Sequence, residues 1–104
     1  MKGELVSVAQ AKSIAEGQAI SDVGGFISIG DSVLDDEYME ASGCWLFFLN
    51  RRLKIPEGAL LGINWAYAVS KKGRVSMVED FPGDEVRRLE LLHKMSDFFK
   101  RVEG

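Results

Sequence analysis

Apolar positions along this chain recur with two periods, and the switches between them mark out the elements. From Ser7 to about Ala19 the period is helical: Val8, Ala11, Ile14 and Ala15 share one face. Ser7 can cap the orphan N–H groups, and Gln10 three residues later completes a capping box. Lys12 and Glu16 stand four apart on the other side, base first, the weaker order for a solvent pair. Gly24-Gly25 breaks the pattern. Phe26 to Ile29 then reads as a short strand, and Gly30-Asp31-Ser32 as a turn. Val33 to Glu40 is compatible with a helical turn, an exposed strand or a loop.

Cys44-Trp45-Leu46-Phe47-Phe48-Leu49 is the most apolar piece, and an unbroken run of this length suits a strand covered on both faces. Lys54 to Gly62, with Pro56 and Gly58, reads as a connection. From Trp65 to Ser70 the period is two: Trp65, Tyr67 and Val69 face one way, Ala66, Ala68 and Ser70 the other. Lys71-Lys72-Gly73 turns the chain, and Arg74 to Asp80 returns with Val75 and Met77 opposite in sense to Ser76 and Val78. This is a β-hairpin. Phe81-Pro82-Gly83 stops it, and Asp84 can cap a last helix over about 84–102. There Val86, Leu89, Leu92, Met95, Phe99 and Val102 form the predicted apolar stripe, with Arg87, Arg88, Glu90, Lys94, Asp97 and Lys100 opposite. Helices at either end of consecutive antiparallel strands predict one α+β domain spanning 1–104.

Composition narrows the function. Hydrophobic residues make up 46% and charged residues 28%, the ordinary globular mixture. The net charge is −3, with five acids and no base between Asp31 and Glu40. That balance argues against nucleic-acid binding, which needs a basic surface to displace counterions. The longest apolar run is the six residues from Cys44 to Leu49, short of the roughly 20 that span a bilayer. No signal peptide is visible after Met1-Lys2, so a cytoplasmic protein is expected.

Catalytic and metal constellations are not recognisable. One cysteine, Cys44, and one histidine, His93, do not make a zinc site, and Asp31 to Glu37 lacks the glycine and alternation of an EF-hand loop. Cys44 reads as a small buried hydrophobe, and His93 as a residue of a polar helix face. No cofactor is expected, and the chain reads as a non-enzyme. What stands out is the acidic run Asp31, Asp35, Asp36, Glu37 and Glu40, with Tyr38 inside it. The strand aromatics Trp45, Phe47, Phe48, Trp65 and Tyr67 read as core; the alternative is that one or two of them, Trp65 or Tyr67 first, face outward as interface anchors.

Over roughly residues 5–80 the chain resembles the bacterial immunity protein 35 family of polymorphic toxin systems. The similar residues are Cys44-Trp45-Leu46-Phe47-Phe48, Gly62-Ile63-Asn64, and the hairpin Ala68-Val69-Ser70-Lys71-Lys72-Gly73-Arg74-Val75. The leading helix with Ala11, Ile14 and Ala15 also fits. A proline common after the family's Gly-Asn is replaced in this neighbourhood by Trp65, and the C-terminal helix is longer than the family pattern. The resemblance implies a small cytoplasmic protein that binds and neutralises a toxin enzyme. On that reading Asp31, Asp35, Asp36, Glu37, Tyr38, Glu40 and Trp65 form the partner surface, and the acids suit a basic toxin. The alternative is a homo-oligomeric structural or small-ligand-binding α+β protein without catalytic activity, joined through the C-terminal helix or an edge strand.

Overall fold

The computed structural model describes residues 5–23, 33–50 and 65–103. The expected strand at 26–29, the turn at 30–32 and the connection at 54–62 lie outside them. The order of elements is α1 (Val8–Val23), β1 (Leu34–Glu40), β2 (Cys44–Leu49), β3 (Trp65–Ser70), β4 (Val75–Glu79) and α2 (Glu85–Glu103). The fold is α+β, with a helix at either end of a four-stranded antiparallel sheet. Strands follow in chain order, β1-β2-β3-β4.

Helix α1 starts as its sequence requires. The Gln10 N–H donates to Ser7 Oγ at 3.1 Å, and the Ser7 N–H donates to Gln10 Oε1 at 2.7 Å. Ala11, Ala15 and Ala19, one turn apart, are all fully buried. Val8, expected on the same face, is exposed instead. The helix also runs one turn past Ala19, which brings Asp22 to the sheet. Lys12 does not simply pair along its own helix: its ammonium lies 4.0 Å from Asp36 of β1.

The sheet is covered on both faces. Trp45, Phe47, Tyr67 and Val69 pack under the alanines of α1. On the reverse face Cys44, Leu46, Phe48, Ala66 and Ala68 receive Leu92 and Phe99 of α2. On the first face large sheet residues therefore meet a small-faced helix, and on the reverse face Ala66, Ala68 and Cys44 leave room beside Leu46 and Phe48 for the larger Leu92 and Phe99. Burial of a ring such as Phe47 or Phe99 contributes about 1.5–3 kcal/mol. The double covering explains why β2 carries no polar alternation.

The β3–β4 hairpin has its predicted register, with Trp65 opposite Glu79 and Val69 opposite Val75. Gly73 sits at φ 94°, the left-handed region that glycine enters without strain. Ser70 organises the turn: its Oγ accepts from the Lys72 and Arg74 N–H groups and donates to Glu103 Oε2 at 2.7 Å.

The helix α2 is rotated from the predicted stripe. Its inward positions are Arg88, Leu92, Ser96, Phe99 and Glu103, spaced four, four, three and four residues apart. Val86, Leu89 and Val102, assigned to the core by pattern, are exposed, and Arg88, assigned to solvent, faces the sheet. The reason lies in three polar anchors. Arg88 makes two 2.8 Å bonds to Asp80, Ser96 Oγ accepts the Gly43 N–H at 2.8 Å, and Glu103 accepts from Ser70. Each satisfies a buried or half-buried polar group that would be left unpaired if the helix turned to bury Val86, Leu89 and Val102 instead.

Candidate functional site, the acidic β1 rim

Within the stretch Val33 to Glu40, Leu34–Glu40 forms a strand that is, among the described residues, an edge of the sheet. Its register with β2 is regular from Tyr38 to Glu40, where Tyr38 faces Phe47 and Glu40 faces Trp45. Between Leu34, opposite Leu49, and Tyr38 the register shifts. Four steps along β1 there answer two along β2, so Asp35, Asp36 and Glu37 fall in a bulge. Bulges bend a strand and redirect its side chains. The acids are thus held where the strand departs from the ladder.

The rim gathers part of the predicted set. Asp36, Glu37 and Glu40 are exposed, and Asp35 is half-buried. Tyr38 is 44% exposed and leans on Phe47 with ring centroids 5.6 Å apart. One side of this ring is fixed by the core and the other is open, the arrangement of an interface anchor. Asp31 lies outside the described residues. Trp65 is not part of the rim: it is on β3, with β2 between it and β1. It is half-buried and donates its Nε1–H to Tyr67 Oη at 2.6 Å. Tyr67, the other candidate for an outward ring, is fully buried and donates to Asp22 Oδ2 at 2.8 Å. The indole, phenol and carboxylate thereby satisfy one another beneath α1.

At the other end of β1 the rim carries a compensated charge. Lys71 bonds to Glu40, and its ammonium stands 3.8 Å from the centroid of the Trp45 ring. The Lys71 hydrogen bond and charge hold the Glu40 carboxyl below its usual value. The buried Trp45 Nε1–H also favours the carboxylate, although it lacks a hydrogen-bond partner of good geometry among the described residues. Glu40 is therefore an oriented anion, Asp36 stands 4.0 Å from the Lys12 ammonium, and Glu37 is exposed between them.

Two buried groups, Cys44 and Tyr67, are quiet. Burial pushes the Cys44 thiol up to about 11, against a smaller opposing pull from Lys71. Burial, and then the hydrogen bond to Asp22, raises the Tyr67 phenol above its usual value. At neutral pH both are protonated, and neither is prepared as a base or nucleophile. No group of three metal-ligating side chains occurs among the described residues. No helix among them is long and apolar enough to cross a membrane.

The state of the thiol is testable. At pH 8 native Cys44 should react with an aromatic disulfide reagent at less than about 1% of the rate of the urea-unfolded chain, since the thiolate is the reactive form. Because folding raises this pKa from 9.0 to about 11, its contribution to stability is full below pH 9 and is lost as pH climbs through 11. Tyr67, also raised, adds a loss of the same sign at higher pH. Rapid labelling of the folded chain at pH 8 would contradict the burial.

No family model, no curated protein and no solved structure matches the chain.

Proposed function

We propose that the protein is a binding module of the immunity type, which neutralises a basic toxin enzyme by presenting the β1 rim to it. The observation that carries this reading is the bulged edge strand with Asp36, Glu37 and Glu40 in solvent beside a half-exposed, core-braced Tyr38. Both sheet faces are occupied by helices, so among the described residues the rims are the parts of the sheet left to a partner. The bulge and its charges disfavour the addition of a partner strand. Recognition therefore works through side chains: acids steer the encounter, and Tyr38 supplies desolvated contact once the partner is seated. The resemblance over residues 5–80 supports the same assignment. A protein acting in this way needs no chemistry of its own, in keeping with the protonated Cys44 and Tyr67.

The test begins with the tagged chain in native lysate. One stoichiometric partner is expected, a basic enzyme whose activity falls to zero at equimolar inhibitor. Asp36→Lys/Glu37→Lys should lower the association rate constant about 10- to 100-fold at low salt, with the difference shrinking as salt is raised. An unchanged rate constant removes the rim from the mechanism, and a captured partner whose activity is untouched removes the immunity assignment.

A further inference from the structure

The rotation of α2 leaves apolar surface outside the core. On one flank Leu91, Met95, Phe98 and Val102 follow at spacings of four, three and four. Leu91 and Met95 are half-buried against the sheet, while Phe98 is 39% and Val102 45% exposed. Immediately outside this stripe, at seven-residue spacing, stand Arg87, Lys94 and Arg101, all exposed. A groove of about 430 Å³ opens where Leu91, Arg87 and Lys94 face Phe81. An apolar strip about 17 Å long at 1.5 Å per residue, with a basic border, has the dimensions of a seat for a helix of three turns.

The charges select the occupant. Arg87 is already engaged, 3.6 Å from Asp84 and stacked near the Phe81 ring, and Glu79 and Glu90 stand at the same groove. Lys94 and Arg101 make no ion pair among the described residues. A second copy pairing α2 with α2 in parallel would need positions 92 and 99, which are buried under the sheet. An antiparallel pair, about a two-fold axis across the helices, would set like flanks against each other. Lys94 and Arg101 of one copy would then face those of the other, which opposes self-association through this stripe.

We infer that this flank of α2 binds an acidic amphipathic helix of a partner protein, with its apolar residues on Phe98 and Val102 and its carboxylates opposite Lys94 and Arg101. The site is separate from the β1 rim and does not depend on that reading. Burial of Phe98 would supply affinity, and the two cations would set orientation and exclude basic helices.

The probe is a stapled amphipathic peptide of about 14 residues, with leucines on one face and glutamates on both flanks, compared with its lysine counterpart. The amide NMR spectrum of the full chain should shift along 91–102 with the glutamate peptide and leave β1 unmoved. Lys94→Glu/Arg101→Glu should weaken that peptide at least about tenfold and strengthen the lysine peptide. Phe98→Ala should weaken the glutamate peptide about tenfold with the melting curve of the free chain little changed. Three results overturn the inference: equal binding of the two peptides, shifts mapping elsewhere, or no binding at about 1 mM peptide, a level that detects even the weakest specific contacts. Sedimentation showing a dimer that Phe98→Ala returns to monomer would assign the stripe to a second copy and overturn it equally.

Discussion

Replacing Asp80 by alanine should lower the unfolding free energy by about 3–5 kcal/mol, a large part of what a domain of this size holds. The Asp80 side chain is only 5% exposed and that of Arg88 18%, so the pair sits mostly out of water. Asp80 Oδ1 and Oδ2 each accept an Arg88 N–H at 2.8 Å, and Oδ1 also accepts the Phe81 N–H at 2.7 Å. The Arg88 guanidinium lies 3.9 Å from the Phe48 ring centroid. Without the carboxylate it would be left against that ring with its charge unanswered, and the Phe81 amide would lose its acceptor. The cost comes from the stranded cation more than from the lost attraction. Asp80→Ala/Arg88→Met should therefore be less damaging than Asp80→Ala alone, giving a non-additive cycle in urea unfolding at neutral pH. A loss below about 1 kcal/mol for Asp80→Ala would mean that the pair behaves as a solvated surface bridge.

Gly43→Ala should be nearly as severe, for a reason of space. A Cβ at Gly43 would stand 2.6 Å from Ser96 Oγ and 2.7 Å from the Ser96 carbonyl oxygen. The hydroxyl can rotate, but the carbonyl belongs to the backbone of α2, so the helix must move. Overpacking of this kind costs about 1–3 kcal/mol. Displacement of Ser96 also orphans the Gly43 N–H, adding about 1–3 kcal/mol. Thermal unfolding followed by circular dichroism should show a fall of at least about 10 °C. Adding Ser96→Ala should not restore it, because the clash with the carbonyl and the orphaned amide both remain. Full rescue would show that the hydroxyl alone was in the way.

These two sites lie where pattern reading of the sequence misplaces α2. Leu89 and Val102 look like core by spacing, and Arg88 looks like surface, because a binary pattern gives polar residues no credit for partners elsewhere in the chain. Asp80 and Ser96 become inward residues only once the strand end and the β1–β2 turn are beside the helix. The local features were legible: the Ser7–Gln10 capping box, the two-faced run of β2, and the alternation of Trp65 to Ser70 depend on near neighbours alone. For the rim, the acidic run was plain in the sequence, but its place on an edge strand was not, since charge and β propensity disagree between Asp35 and Glu40. The bulge that holds the acids depends on register with β2, and so does the separation of Trp65 from Tyr38 by an intervening strand. Tyr67 was hidden for a similar reason: its partner Asp22 lies in a helical turn beyond the predicted end of α1, 45 residues away.

The chain-order arrangement of the strands also bears on the route to this structure. Each strand pairs with its neighbour in sequence, so the meander can grow by short steps of loop closure. The helix anchors span much more chain, 45 residues between Asp22 and Tyr67 and 53 between Gly43 and Ser96. Closing such loops is entropically dearer and is rewarded only when a sheet surface already exists to receive the helix. The sheet is therefore expected to act as the nucleus, with α2 docking after the barrier. Damage at Gly43–Ser96 should then act on the lifetime of the folded molecule, speeding its opening while leaving the rate of its formation nearly unchanged.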